Sequence, residues 1–104
     1  MRRRSTIADS IDAELYTSQE CGLCREMRSV LGRVSEEYPL TITEIDIGAD
    51  PLLHARFAEQ VPVLYLNGRK AFKYRLSEAA LRRKLMLILW QRRLFGPVSK
   101  RANG

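Results

Sequence analysis

The sequence predicts an α/β domain: a three-layer sandwich built on a four-stranded mixed sheet, with elements in the order β-α-β-α-β-β-α. Three observations carry this reading. Apolar residues recur at helical spacing in two stretches, Leu23 to Val34 and Leu81 to Leu89. A run rich in β-branched residues, Leu40-Thr41-Ile42-Thr43-Glu44-Ile45-Asp46-Ile47, has strand character. Asn67-Gly68 lies between two further strand-like segments and accepts the positive φ angles of a two-residue hairpin turn.

Residues 1–12 read as a flexible basic arm, 13–95 as the domain and 96–104 as a basic tail. Ala13 to Thr17 forms the first strand. From Cys21 to about Glu37, the residues Leu23, Met27, Val30, Leu31 and Val34 share one helical face. Tyr38-Pro39 ends that helix, because a residue before proline is pushed out of the helical region. After the second strand, Asp50-Pro51 places a capping carboxylate before a proline suited to the first helical position, and a short helix runs to about Glu59. Val63 to Leu66 and Lys70 to Tyr74 make the hairpin. Ser77 caps a last helix whose core stripe is Leu81, Leu85, Ile88 and Leu89. The first β-α-β unit requires a parallel pair with a right-handed crossover.

The 104 residues fit one domain, large enough to build a core without disulfide or metal staples. The longest apolar run is Leu85-Met86-Leu87-Ile88-Leu89-Trp90, far short of the ~18 residues of a membrane span. Met1-Arg2-Arg3-Arg4 is basic, but Ser5 to Asp12 supplies no apolar stretch, so a cytoplasmic protein is expected. Charge is divided unevenly. Residues 5–68 carry four basic and eleven acidic groups, whereas residues 69–104 carry eleven basic groups against Glu78 alone. An acidic partner would bind that C-terminal third.

Cys21-Gly22-Leu23-Cys24 falls where the first strand ends and the first helix begins. A bond across so small a loop constrains little of the unfolded chain, so if the pair matters it matters for reactivity. Residues at i and i+3 on a helix stand about 5–6 Å apart at Cβ, within disulfide reach after slight adjustment. Cys21 meets the unpaired N–H groups and positive dipole end of the helix, which favour thiolate. Arg25 and Arg28 add positive charge, opposed by Glu20 and Glu26. Cys21 is therefore the candidate nucleophile of thiol–disulfide exchange and Cys24, one turn in, the resolving thiol. Gly22 admits a substrate backbone and Leu23 supplies an apolar collar. The competing readings are a packing pair and a metal site. Zinc wants four ligands, and His54, the sole histidine, lies beyond the second strand, so zinc would be shared between chains; an iron–sulfur cluster meets the same shortage. No metal is expected.

With Cys21-Gly22-Leu23-Cys24, Asp46-Ile47-Gly48-Ala49-Asp50-Pro51 and Val61-Pro62-Val63 in these places, the chain resembles the glutaredoxin-like families of the thioredoxin fold over about residues 13–90. It is most similar to their small members with a Cys-x-Leu-Cys site and a Val-Pro-Val strand. The resemblance implies a dithiol oxidoreductase reducing protein or low-molecular-weight disulfides. It further implies that Pro62 is cis and faces Cys21, with Val61 offering its N–H and C=O to an extended substrate as an added strand. Gly22, Leu23, Val61 and Pro62 are then the substrate-binding residues. No cofactor is bound; electrons come from glutathione, another small thiol or a reductase protein. Two departures concern glutathione: Ser18 stands where many glutaredoxins have lysine, and Tyr74-Arg75-Leu76-Ser77 where many have a Gly-Gly pair. Specific glutathione binding therefore does not follow from the resemblance.

The last helix is apolar beyond its core stripe, at Met86, Leu87, Trp90 and Leu94, and basic at Arg82-Arg83-Lys84 and Arg92-Arg93. Coverage by the arm or tail, a homodimer, an acidic protein partner and an anionic membrane surface are the open readings. Nucleic-acid binding is not expected, since no reading motif or base-stacking aromatic series accompanies the charge. The second functional reading is a thioredoxin-fold binding module whose basic helix contacts an acidic partner, with little redox turnover.

Overall fold

In the computed structural model, which describes residues 10–95, strand β1 (Ile11–Thr17) lies inside a four-stranded sheet of order β2-β1-β3-β4. It pairs in parallel with β2 (Leu40–Asp46), from Ile11 opposite Leu40 to Thr17 opposite Asp46. On its other side it runs antiparallel to β3 (Val63–Leu66), which pairs with β4 (Arg69–Lys73). A register shift between Leu64 and Tyr65 leaves Ala71 as the extra residue of β4. The predicted order and mixed sheet are those observed.

β1 starts at Ile11 rather than Ala13, because Ile11 N–H donates to Pro39 O and its side chain is fully buried. The remainder of the expected arm, residues 1–9, and the expected tail, 96–104, lie outside the described residues. Buried Ile11, Ala13, Leu15 and Thr17 alternate with half-buried Asp12, Glu14 and Tyr16, the pattern of a strand covered more completely on one face.

Helix α1 (Gly22–Val34) buries Cys24, Met27, Leu31 and Val34, while Leu23 and Val30 are half-buried at the margins of that stripe. It stops short of Glu37. Ser35 Oγ donates to Gly32 O at 2.7 Å, and N–H groups of Glu37 and Tyr38 both turn back to Val34 O. A short 3-10 turn (Ile47–Ala49) follows β2, with Asp46 Oδ1 accepting from Gly48 N–H at 2.8 Å. Asp50 caps α2 (Pro51–Phe57) through Leu52 N–H at 2.9 Å. The hairpin turn takes φ values of 51° at Asn67 and 85° at Gly68. Asn67 also ties the turn to β1 by bonds with both Asp12 N–H and Asp12 O. Ser77 Oγ accepts from Ala80 N–H at the start of α3 (Glu78–Phe95).

Two cores result, one per sheet face. Ile11, Ala13, Leu15, Leu64 and Leu66 meet Met27, Leu31 and Val34 of α1 and Leu81 and Leu85 of α3. On the opposite face, Ile47, Phe57 and Val63 pack with Tyr16, Leu53, Val61 and Tyr65. Ile88 and Leu89 sit half-buried at the edge of the first core, so the α3 stripe is deep only at its N-terminal half.

Guanidinium–carboxylate pairs surround the start of α3: Arg33 of α1 binds Glu78, and Arg82 binds Glu78 one turn before it and Glu37 just beyond α1. Arg28 binds Glu44 of β2. Hydrogen bonds from Arg82 hold Glu37 below the ordinary carboxylate range; those from Arg82 and Arg33 do so for Glu78, and Arg28 does so for Glu44. A carboxylate with a depressed folded-state pKa adds stability above its unfolded value, about 4.3, and that stability disappears as pH falls through the folded value. Stability should thus decline on acidification below about pH 4. The Glu37→Gln/Glu78→Gln variant should show a shallower acid limb in urea titrations repeated across pH; a limb of unchanged slope would remove these pairs as its source.

Candidate functional site

The loop from β1 to α1 turns at Glu20, whose φ of 53° is unusual for a residue with a side chain. Cys21 then lies in extended backbone as the N-cap of α1. Its Sγ accepts a hydrogen bond from Cys24 N–H at 3.1 Å, the bond by which Ser or Asp side chains ordinarily cap a helix. That donor stabilises negative charge on the sulfur when the pair is reduced. The Cα atoms are 5.2 Å apart and the two sulfurs are bonded.

The two cysteines differ in access. Cys24 is 1% exposed and belongs to the packed face of α1, whereas Cys21 is only half-buried. Gly22 points into open space, where an added Cβ would meet only an Arg25 guanidinium nitrogen, at 3.9 Å. Arg25 therefore stands beside the helix mouth. Arg28 does not supply free positive charge there: its Nε donates to Glu44 at 2.8 Å, and Thr17 Oγ1 donates to the same carboxylate. The expected electrostatic support from two arginines reduces to that of Arg25 and the helix end.

Pro62 follows a cis peptide bond, as the resemblance implied, and is fully buried. Because Tyr16 pairs with Val63, Pro62 lies level with Thr17, at the end of β1 that leads into the cysteine loop. Its carbonyl accepts from Tyr74 N–H at 2.8 Å. One expectation is corrected here. Val61 N–H donates to Phe57 O at 3.1 Å, so the N–H half of the pair expected to meet a substrate is already engaged, because the chain leaving α2 turns back on its last residue.

Tyr74 was legible in the sequence only as the end of a strand, yet it joins several parts of this region. Its φ is 70°, its hydroxyl donates to Glu59 O at 2.9 Å, and its N–H holds Pro62 O. With Leu23, Val30, Leu76 and Ser77 it also lines a groove of about 300 Å³ beside α1. Arg75 is 3.7 Å from Glu26 on that groove. Behind the Pro62 loop, Tyr16 stacks on Phe57 at 4.6 Å and Tyr65 approaches both edge-on; burial pushes the Tyr16 hydroxyl pKa up. His54 is exposed on α2, and among the described residues no group of three or more His, Cys, Asp or Glu is placed to hold a metal ion.

A bonded Cys-x-x-Cys pair at the mouth of the first helix, a cis-proline opening the third strand and a β2-β1-β3-β4 mixed sheet define a thioredoxin-fold protein with a thiol-redox role. Residues 13–86 match the glutaredoxin-like domain (DUF836), and the chain belongs to that family. An uncharacterized protein of Mycobacterium tuberculosis, Rv0508, is 30% identical over 74 residues, covering 66% of this chain and 76% of that protein. Protein Ne2328 from Nitrosomonas europaea superposes with a TM-score of 0.65 at 21% identity, over 82% of this chain and 99% of that one. Mitochondrial thioredoxin 3 from Saccharomyces cerevisiae, in its oxidized form, gives 0.57 at 18% identity, over 80% and 84% of the two chains. Such distant structural likeness speaks for the fold alone.

Proposed function

We propose that this protein is a thiol–disulfide oxidoreductase that reduces protein or low-molecular-weight disulfides, with Cys21 as nucleophile and Cys24 as resolving thiol. Cys21 thiolate attacks one sulfur of a substrate disulfide; that bond breaks, one substrate thiolate leaves and takes a proton, and a mixed disulfide remains. Cys24, deprotonated, then attacks Cys21 Sγ and expels the second substrate thiolate. Two electrons pass to the substrate and the Cys21–Cys24 disulfide forms. Glutathione, another small thiol or a reductase protein returns the electrons.

The observation that carries this reading is the asymmetry of the pair: Cys21 caps α1 with its sulfur on Cys24 N–H and remains reachable, while Cys24 is sealed in the core face. The same hydrogen bond stabilises the Cys21 thiolate that opens the first step, and Cys24 lies within bonding distance of Cys21 Sγ for the second. The substrate wall consists of Gly22, Leu23 and the carbonyl, rather than the N–H, of Val61, with buried Pro62 setting the backbone behind it. A substrate strand there gains fewer main-chain bonds than a full added strand would provide.

The deciding measurement is the reduction potential of the pair in glutathione buffers, together with turnover of a small disulfide. A potential of about −200 to −270 mV with catalytic turnover supports a reductase. A potential far above that range would reverse the direction proposed, and absence of turnover at any potential would overturn the enzyme reading.

A further inference from the structure

The face of α3 turned away from the core carries apolar residues that thiol exchange does not use. Met86, Leu87, Trp90 and Leu94 are between 45% and 58% exposed and recur at the spacing of one helical face, roughly opposite buried Leu81 and Leu85. Beside them, between α3 and the edge strand β4, runs an open groove of about 760 Å³. Ala71, Phe72, Leu87 and Trp90 give it apolar walls, and its two charged lining residues, Arg83 and Lys84, are both cationic. A contiguous surface along the same helix continues past Arg69 and Lys70 of β4. Clustered apolar side chains left in water, with a charged rim, mark an interaction site.

We propose that this groove docks an acidic amphipathic segment of another protein, with apolar side chains between Phe72 and Trp90 and carboxylates over Arg83 and Lys84. Charge decides among the occupants. Residues 69–104 carry eleven basic groups against Glu78, which Arg33 and Arg82 already engage. A second copy applying the same face would set its Arg83 and Lys84 against these, a costly like-charge contact. The chain's own ends share the sign: residues 1–9 hold three arginines and one aspartate, and residues 96–104 hold Lys100 and Arg101 with no acid. The surface is an open groove between a helix and a strand, on which an amphipathic helix can lay its apolar side, and vesicles are set against it in the test below. The site shares no residue with the Cys21–Cys24 region, so it stands or falls separately from the redox reading.

Trp90 is the only tryptophan and lines the groove, which makes its fluorescence a direct reporter. The full chain carrying Cys21→Ser/Cys24→Ser, which excludes covalent capture, is titrated with a synthetic Leu/Glu amphipathic helix of about 16 residues. The Leu/Lys counterpart and phosphatidylglycerol vesicles are the comparison probes. A saturable blue shift of Trp90 emission with the Leu/Glu peptide is expected, weakening as salt rises. Arg83→Glu/Lys84→Glu should weaken binding by about tenfold or more, and Met86→Gln/Leu87→Gln likewise, with far-UV circular dichroism unchanged. Four results would each overturn the proposal: no response to the Leu/Glu peptide, an equal response to the Leu/Lys peptide, a response to vesicles alone, or a blue shift on self-association detected by sedimentation.

Discussion

Cys21→Ser should abolish turnover of a disulfide substrate, a loss on the order of 10³-fold or more, because a hydroxyl supplies no thiolate near neutral pH. Cys24→Ser should instead keep the first step and stall at the second. The two variants are thus expected to differ in kind. With a substrate disulfide in excess, Cys24→Ser accumulates a mixed disulfide that intact-mass measurement detects on Cys21, and Cys21→Ser accumulates none. The physical basis is the unequal exposure of the two sulfurs and the N–H bond that only Cys21 receives. Alkylation of the reduced protein checks the same asymmetry, since Cys21 should react much faster than buried Cys24. Equal residual turnover, or an adduct found on Cys24, would remove the assigned roles.

Phe57→Ala should be the most damaging single truncation on the α2 side of the sheet. Phe57 is 2% exposed and forms the centre of the smaller core, stacked on Tyr16 and edge-on to Tyr65. Removing a buried phenyl ring costs about 3–5 kcal/mol, against a total stability of roughly 5–15 kcal/mol for a domain of this size. The urea midpoint should fall accordingly, by about 1–5 M at an ordinary dependence on denaturant. Tyr16 provides a second readout. Burial is the leading cause of its raised pKa, so opening the cluster should return its spectroscopic titration toward the ordinary value. A loss below about 1 kcal/mol with an unmoved Tyr16 titration would show that the cluster carries little of the fold's stability. Phe57 O also receives the Val61 N–H, so the Pro62 loop should loosen along with the core.

Much of the molecule is legible from short-range patterns. The α1 stripe, the Asp50-Pro51 helix start, the Asn67-Gly68 turn and the Ser77 cap are each fixed by residues a few positions apart, and each is observed where it was expected. The limits of elements are less legible. β1 begins at Ile11 because a carbonyl from Pro39 reaches it across the sheet, and α1 stops at Val34 because Ser35 and the residues before Pro39 redirect its last bonds.

By itself, the sequence determined the order of elements and the position of two thiols at the start of a helix, because propensity, capping and periodicity act within a few residues. Only the tertiary structure decided which neighbouring groups remain available to those thiols and to a substrate. Glu44 takes Arg28, Phe57 takes the Val61 N–H, Tyr74 holds Pro62 O and α3 keeps an apolar face in water. Each of these depends on groups brought together from distant elements or on the depth at which a helix settles, and hydrogen-bond partners chosen through space leave no periodic trace along a chain.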